Sequence, residues 1–202
     1  MKILIDNGHG SNTKGKFSPD RRLYEYKWAR EIAVRLEAEL KARGYDAQRI
    51  VTEETDISLT ERVRRVNNIC KQYGAKNCLL VSVHNNAAGA DGKWHDARGF
   101  SVFVSKNAST NSKLCAAIFT DEATSRGLLG NRVVSKEKFW TWSWTKADIY
   151  ILKNTNCPAV LTENLFQDNK DDVDFLLSEN GKRIITELHR DAIINYIKQQ
   201  SK

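Results

Sequence analysis

Apolar residues follow two alternating rhythms along this chain. Residues 2–5 form a short apolar run that stops at the turn-prone Asp6-Asn7-Gly8. Between residues 28 and 43 the apolar positions are Ala29, Ile32, Ala33, Leu36 and Leu40, the three-and-four spacing of one helix face, and Gly44 follows as a stop. Residues 45–50 read as a strand. Ser58 with Glu61 then makes a capping box for a helix carrying Leu59, Val63, Val66 and Cys70. Residues 78–83 are continuously apolar, as expected of a parallel strand buried on both faces. Residues 99–105 predict a strand, 111–125 a helix, and 149–152 and 159–162 two further strands. A closing amphipathic helix places Ile184, Ile185, Leu188, Ile193, Tyr196 and Ile197 on its buried side. Strands alternating with helices of this length predict an α/β fold with a mostly parallel central sheet and helices on both faces.

Length and composition narrow this picture. A chain of 202 residues with no repeat, low-complexity tract or proline-rich linker suits one domain over residues 1–202. Apolar residues make up 41% and charged residues 28%, a globular balance, and no stretch approaches the roughly 20 apolar residues that span a bilayer. The start shows no basic segment followed by an apolar core and a cleavage site, so the expectation is a protein cytoplasmic as synthesised. The net charge of +7 favours anionic partners, but Arg21-Arg22, Arg62 to Arg65 and Lys136-Lys138 are scattered, and a solvated surface explains them equally well. Cys70, Cys78, Cys115 and Cys157 make no C-x-x-C pair; free thiols are expected, with no structural disulfide.

Four polar residues stand where an open α/β sheet binds ligands, beyond the carboxyl ends of its strands. His9 follows the first strand between Gly8 and Gly10. His84 ends the buried strand in Ser82-Val83-His84-Asn85-Asn86, Glu163 ends the strand after Pro158, and Glu25 precedes the first long helix. Two imidazoles and a carboxylate make the ligand set of a catalytic zinc site. Each residue also has a plain structural reading, as a hydrogen-bonded histidine at a strand end or a glutamate serving a helix dipole. His95, in a polar loop, and His189, within the last helix, read as structural or solvent-exposed.

Ile5-Asp6-Asn7-Gly8-His9-Gly10, the placement of Glu25, Leu80-Val81-Ser82-Val83-His84-Asn85-Asn86-Ala87 and Pro158-Ala159-Val160-Leu161-Thr162-Glu163 occur in a defined order. Phe166, Asn169, Asp172 and Leu176 follow them. In this order the sequence resembles the zinc-dependent N-acetylmuramoyl-L-alanine amidases of the third amidase family, along essentially its whole length. The resemblance implies a phosphorylase/hydrolase-like fold and one zinc ion per chain on His9, Glu25 and His84, with Glu163 as the catalytic carboxylate. It also implies a peptidoglycan substrate cut between N-acetylmuramic acid and L-alanine, with neither nucleic acid nor membrane as partner. Asn85 and Trp142 are candidate substrate contacts. Ser11 departs from the family, which has a second glycine there. The segment 94–144 diverges further, and the tryptophans at 140, 142 and 144 suit either packing or a groove wall. A catalytic domain of this kind suits a phage or prophage endolysin. Two other functions remain in view: a wall-peptide carboxypeptidase on the same zinc set, and a non-catalytic wall- or nucleic-acid-binding module.

Overall fold

A computed structural model describes residues 1–128, the backbone of 140–141, and residues 149–200. In chain order the elements are β1 (Lys2–Asn7), α1 (Glu25–Ala42), β2 (Asp46–Arg49), α2 (Leu59–Tyr73), a short 3-10 turn (Ala75–Asn77), β3 (Cys78–Asn86) and β4 (Ser101–Val104). Then come α3 (Thr110–Ser125), β5 (Trp140–Thr141), α4 (Tyr150–Asn154), β6 (Ala159–Phe166), α5 (Lys170–Leu177) and α6 (Glu179–Gln200). The strands lie in one sheet in the order β2-β1-β3-β6-β4-β5. The first four are mutually parallel, and β4, paired with β5, runs antiparallel to β6.

Alternation along the strands divides the core into two layers. Ile3, Ile5, Leu79, Val81, Val83 and Val160 face α1, α3 and α6, where Ile32, Leu36, Phe119, Leu188 and Tyr196 are buried. Leu4, Leu80 and Leu161 face α2 and α4, against Val66, Cys70 and Ile151. This is the expected mostly parallel sheet covered on both sides. Ser58 caps α2 by accepting a hydrogen bond from the Glu61 amide at 3.2 Å, although the Glu61 carboxylate turns to Arg64 and Arg65 instead of closing the box. All four cysteines are free.

The sheet corrects two expectations, the strand at 149–152 and the strand ends at His84 and Glu163, and adds a direction for a third element. Residues 149–152, expected as a strand, form the start of α4. Both neighbours of β6 are already β3 and β4, so no edge is open to this run, and a single helical turn buries Ile151 and Leu152 instead. The strand near residues 99–105 runs against its neighbour. His84 and Glu163 do not end their strands: β3 continues to Asn86 and β6 to Phe166.

Candidate active site

His9 sits just past β1 with a left-handed backbone, φ 60°, which a residue other than glycine adopts only when its surroundings hold it. Two guanidinium groups hold it here. Arg30 of α1 donates to the His9 carbonyl at 2.9 Å and to the Glu53 carbonyl, and Arg62 of α2 donates to the same His9 carbonyl at 3.2 Å. Arg62 also donates to the Asn7 carbonyl at 2.8 Å and pairs with buried Asp6 at 2.5 Å, and Asp6 accepts from the Ser82 hydroxyl. The His9 turn is thus locked to β1, β3, α1 and α2 together. Gly8 permits a close approach, because a Cβ there would fall 2.1 Å from Cε1 of the His84 ring.

Glu25 is the first residue of α1, its side chain only 1% exposed. Its Oε1 accepts from the Asn85 amide at 3.0 Å and lies 3.0 Å from His84 Nδ1 and 3.4 Å from His9 Nε2. The two imidazoles meet edge to face, with ring centroids 5.0 Å apart. Burial alone would raise the Glu25 pKa, but the hydrogen bonds and charge of His84 and His9 outweigh it and hold the carboxyl well below the usual range. The same contact acts in reverse on His84, where burial opposes the charged ring and Glu25 overcomes it, so its pKa is raised.

One ligand atom from each of His9, Glu25 and His84 lies within 4.8 Å of the other two, and these residues could hold a metal ion. The donor set suits a divalent cation of borderline softness. A second observation agrees: Glu25 Oε2 is buried with no hydrogen-bond partner, an acceptor left over after the protein's own donors are spent.

Glu163 is placed by the sheet. The register sets it directly beside His84 on the neighbouring strand, and one residue later an extra residue in β6 breaks the ladder, with Leu165 at φ 62°. Asn164 pins the bulge by donating to the His84 carbonyl at 2.9 Å and to the Thr162 hydroxyl at 3.1 Å. Burial, opposed by His84 and reinforced by the charge of Glu25, pushes the Glu163 carboxyl up to about 7. Its Oε2 also lacks a partner. A cavity of about 450 Å³ lined by His9, Asp56, Leu59, His84 and Tyr150 opens onto the two imidazoles.

Other candidates fall elsewhere. Asn85 is buried, its side-chain amide donating to the Asn164 carbonyl at 2.7 Å, so its evident contacts brace Glu25 and β6. Trp142 lies outside the described residues, as does Trp144. His95 pairs with Asp91 at the surface, and His189 is wholly buried in α6. Arg30 went unmarked by sequence reasoning, and Arg62, which a solvated surface explained equally well there, is instead buried against Asp6, a placement for which a signal existed. Arg62 shares the stripe of Val66 and Cys70 on α2, where a charged residue needs a buried partner.

The family described as N-acetylmuramoyl-L-alanine amidase matches residues 3–195. The endolysin of Bacillus phage SPP1 is 28% identical over 204 residues, covering 99% of this chain and 67% of its own length. The N-acetylmuramoyl-L-alanine amidase CwlM of Bacillus licheniformis is 24% identical over 195 residues, again 67% of its length, so the chain spans about two thirds of each of these relatives. Among solved structures, the N-acetylmuramoyl-L-alanine amidase from Clostridium difficile 630 superposes with a TM-score of 0.77 at 25% identity, covering 98% of this chain and 96% of that one. The amidase from Mycobacterium smegmatis, at 17% identity, shares the fold with a TM-score of 0.81 over 98% of this chain and 97% of its own. The matched span takes in the sheet and all four residues gathered at its carboxyl end, and the chain belongs to the N-acetylmuramoyl-L-alanine amidase family.

Proposed function

We propose that this chain is a zinc-dependent hydrolase of the amide bond between the lactyl group of N-acetylmuramic acid and the L-alanine of the peptidoglycan stem peptide. One observation carries the reading: a two-imidazole, one-carboxylate cluster stands beside a buried carboxyl group, Glu163, which the strand register sets next to His84. Amide hydrolysis needs an activated water, stabilisation of the developing oxyanion and a proton for the leaving nitrogen. His9, Glu25 and His84 would hold a zinc ion, which when bound would supply Lewis acidity toward a water and toward the amide carbonyl.

The chain's own residues do the rest. Glu25, fixed by the Asn85 amide, presents its carboxylate to the point on which the two imidazole nitrogens converge. Arg30 and Arg62 hold the His9 backbone so that its ring needs no reorganisation. Glu163 takes a proton from the attacking water on its carboxylate and delivers it to the departing nitrogen of L-alanine. A pKa near the working pH suits a group that must both accept and release a proton.

Mass spectrometry of digested peptidoglycan tests the reading. Wild type should release stem peptides with a free L-alanine amino terminus, and Glu163→Gln should bind zinc normally yet lose at least about a thousandfold in rate, the order seen when a proton-transferring group is removed. Release of free amino acids instead would establish a carboxypeptidase. Wall binding without cleavage, indifferent to chelator, would establish a binding module. His9→Ala and His84→Ala should lose zinc together with activity, and full zinc occupancy in either variant would refute the ligand set.

A further inference from the structure

Near the candidate site a second cavity of about 530 Å³ shares no wall residue with the first. Its rim carries four cations, Lys14, Lys16 and Arg21 from the loop before α1 and Lys93 from the loop after β3. Among the described residues none of the four forms an ion pair; Arg21 instead lies over the Phe17 ring, 4.9 Å from its centroid. Like charges held unpaired around one mouth repel one another, and an anionic ligand relieves that repulsion.

The wall has a second character. Gln167 and Asp168 line it at only 3% and 5% exposure. Asp168 Oδ2 accepts from the amides of Ala88 at 2.7 Å and Gly89 at 3.0 Å, which fixes the loop bearing Lys93. Asp168 Oδ1 and Gln167 Oε1 are buried without partners. Two orphan acceptors call for N–H donors. Carboxylates and N–H groups in one ligand describe a peptide, whereas the phosphodiester of an anionic wall polymer has no N–H to offer.

The cavity is also joined to the chemistry. The Lys16 charge acts on Glu163, and the Lys16 carbonyl accepts from the Glu25 amide at 3.0 Å. We propose that this basic cavity seats the carboxylate-bearing stem peptide beyond L-alanine, leaving the uncharged muramyl side to the cavity of His84 and Tyr150. The inference rests on the amidase reading and gives its site a polarity: the leaving group departs toward the lysines.

The test uses two soluble substrates, an N-acetylmuramoyl tripeptide with free carboxylates and the same compound with those carboxylates amidated. Lys14→Glu/Lys93→Glu alters two exposed side chains, neither of them among the charges that act on Glu163. With the free-carboxylate substrate its KM should rise on the order of tenfold at low salt with kcat nearly unchanged, as two weak ion pairs become repulsions. With the amidated substrate, variant and wild type should agree, and added salt should narrow the difference between substrates. Equal KM values on the free-carboxylate substrate would overturn the assignment. So would an equal loss on both substrates. Each of these leaves the amidase reading intact, since wild type still cleaves. No cleavage of either substrate by zinc-loaded wild type would end both.

Discussion

Removing the Arg62 side chain would strand the Asp6 carboxylate in the interior and leave the Asn7 and His9 carbonyls short of a donor each. Loss of one partner from a buried pair leaves an uncompensated charge, so Arg62→Ala should cost about 3 to 5 kcal/mol in urea unfolding. Because the same guanidinium holds the His9 turn, zinc affinity in a chelator competition should fall as well. A purely structural arginine would lower stability and leave the metal titration of the folded fraction unchanged. Gly8→Ala separates these effects from the other side. The added methyl group strikes the His84 ring itself, so metal affinity should drop sharply while the far-ultraviolet circular dichroism stays that of the wild type.

At the scale of elements, the helix starts make a smaller and cleaner prediction. Asn169 caps α5 by accepting from the Asp172 amide at 3.1 Å, and its amide group donates to the His95 carbonyl at 2.9 Å. Asn169→Ala should therefore cost about 1 to 2 kcal/mol, read as a shift in the urea midpoint without a change in slope. What the sequence discloses about such elements depends on how local its signal is. The helices α1 and α6 announce themselves through apolar spacing, and β3 through an apolar run that only Ser82 interrupts, because burial on two faces admits polar residues only where they find a partner, as Ser82 does in Asp6. His9, His84 and Glu163 could be named because they fall at or near strand ends, where open sheets do their chemistry, and Glu25 because it opens the first long helix. Their roles came from the resemblance, since spacings of tens of residues carry no local pattern. Ile149 to Leu152 misled because four apolar residues fit a strand or a helical turn equally, and only the occupied edges of β6 decide. The arginine clamp stayed hidden for a related reason: Arg62 lies in a charged row, and its partner Asp6 is 56 residues away.

Over the whole molecule, the last helix reaches the site through one buried chain of polar groups. The His189 imidazole, between Phe100 and Phe119, donates from Nδ1 to the Ile185 carbonyl at 2.8 Å and accepts from the Thr162 hydroxyl at 2.9 Å, one residue before Glu163. Burial lowers its pKa from 6.5 to about 4. The unfolded chain therefore binds this proton more readily, and the stabilisation is complete above about pH 6.5 and declines as pH falls toward 4. The loss amounts to up to roughly 3 kcal/mol. His189→Gln, which takes up no proton, should show a shallower decline between pH 7 and 4 in urea titrations, and an unchanged slope would reject this role for the histidine.

The sheet order also divides the site in time. The three proposed ligands all lie within the first 84 residues and meet once β1 has paired with β3, whereas Glu163 arrives only when β6 docks beside β3. The two closures span nearly equal lengths of chain, Lys2 to Cys78 and Leu80 to Ala159, so the order is set during synthesis, in which β6 emerges last. A chain partway through folding can therefore capture its ion before it has a base. A nascent chain stalled before β6 should hold zinc while remaining harmless to the wall, and the metal content and lytic activity of stalled and full-length chains check this.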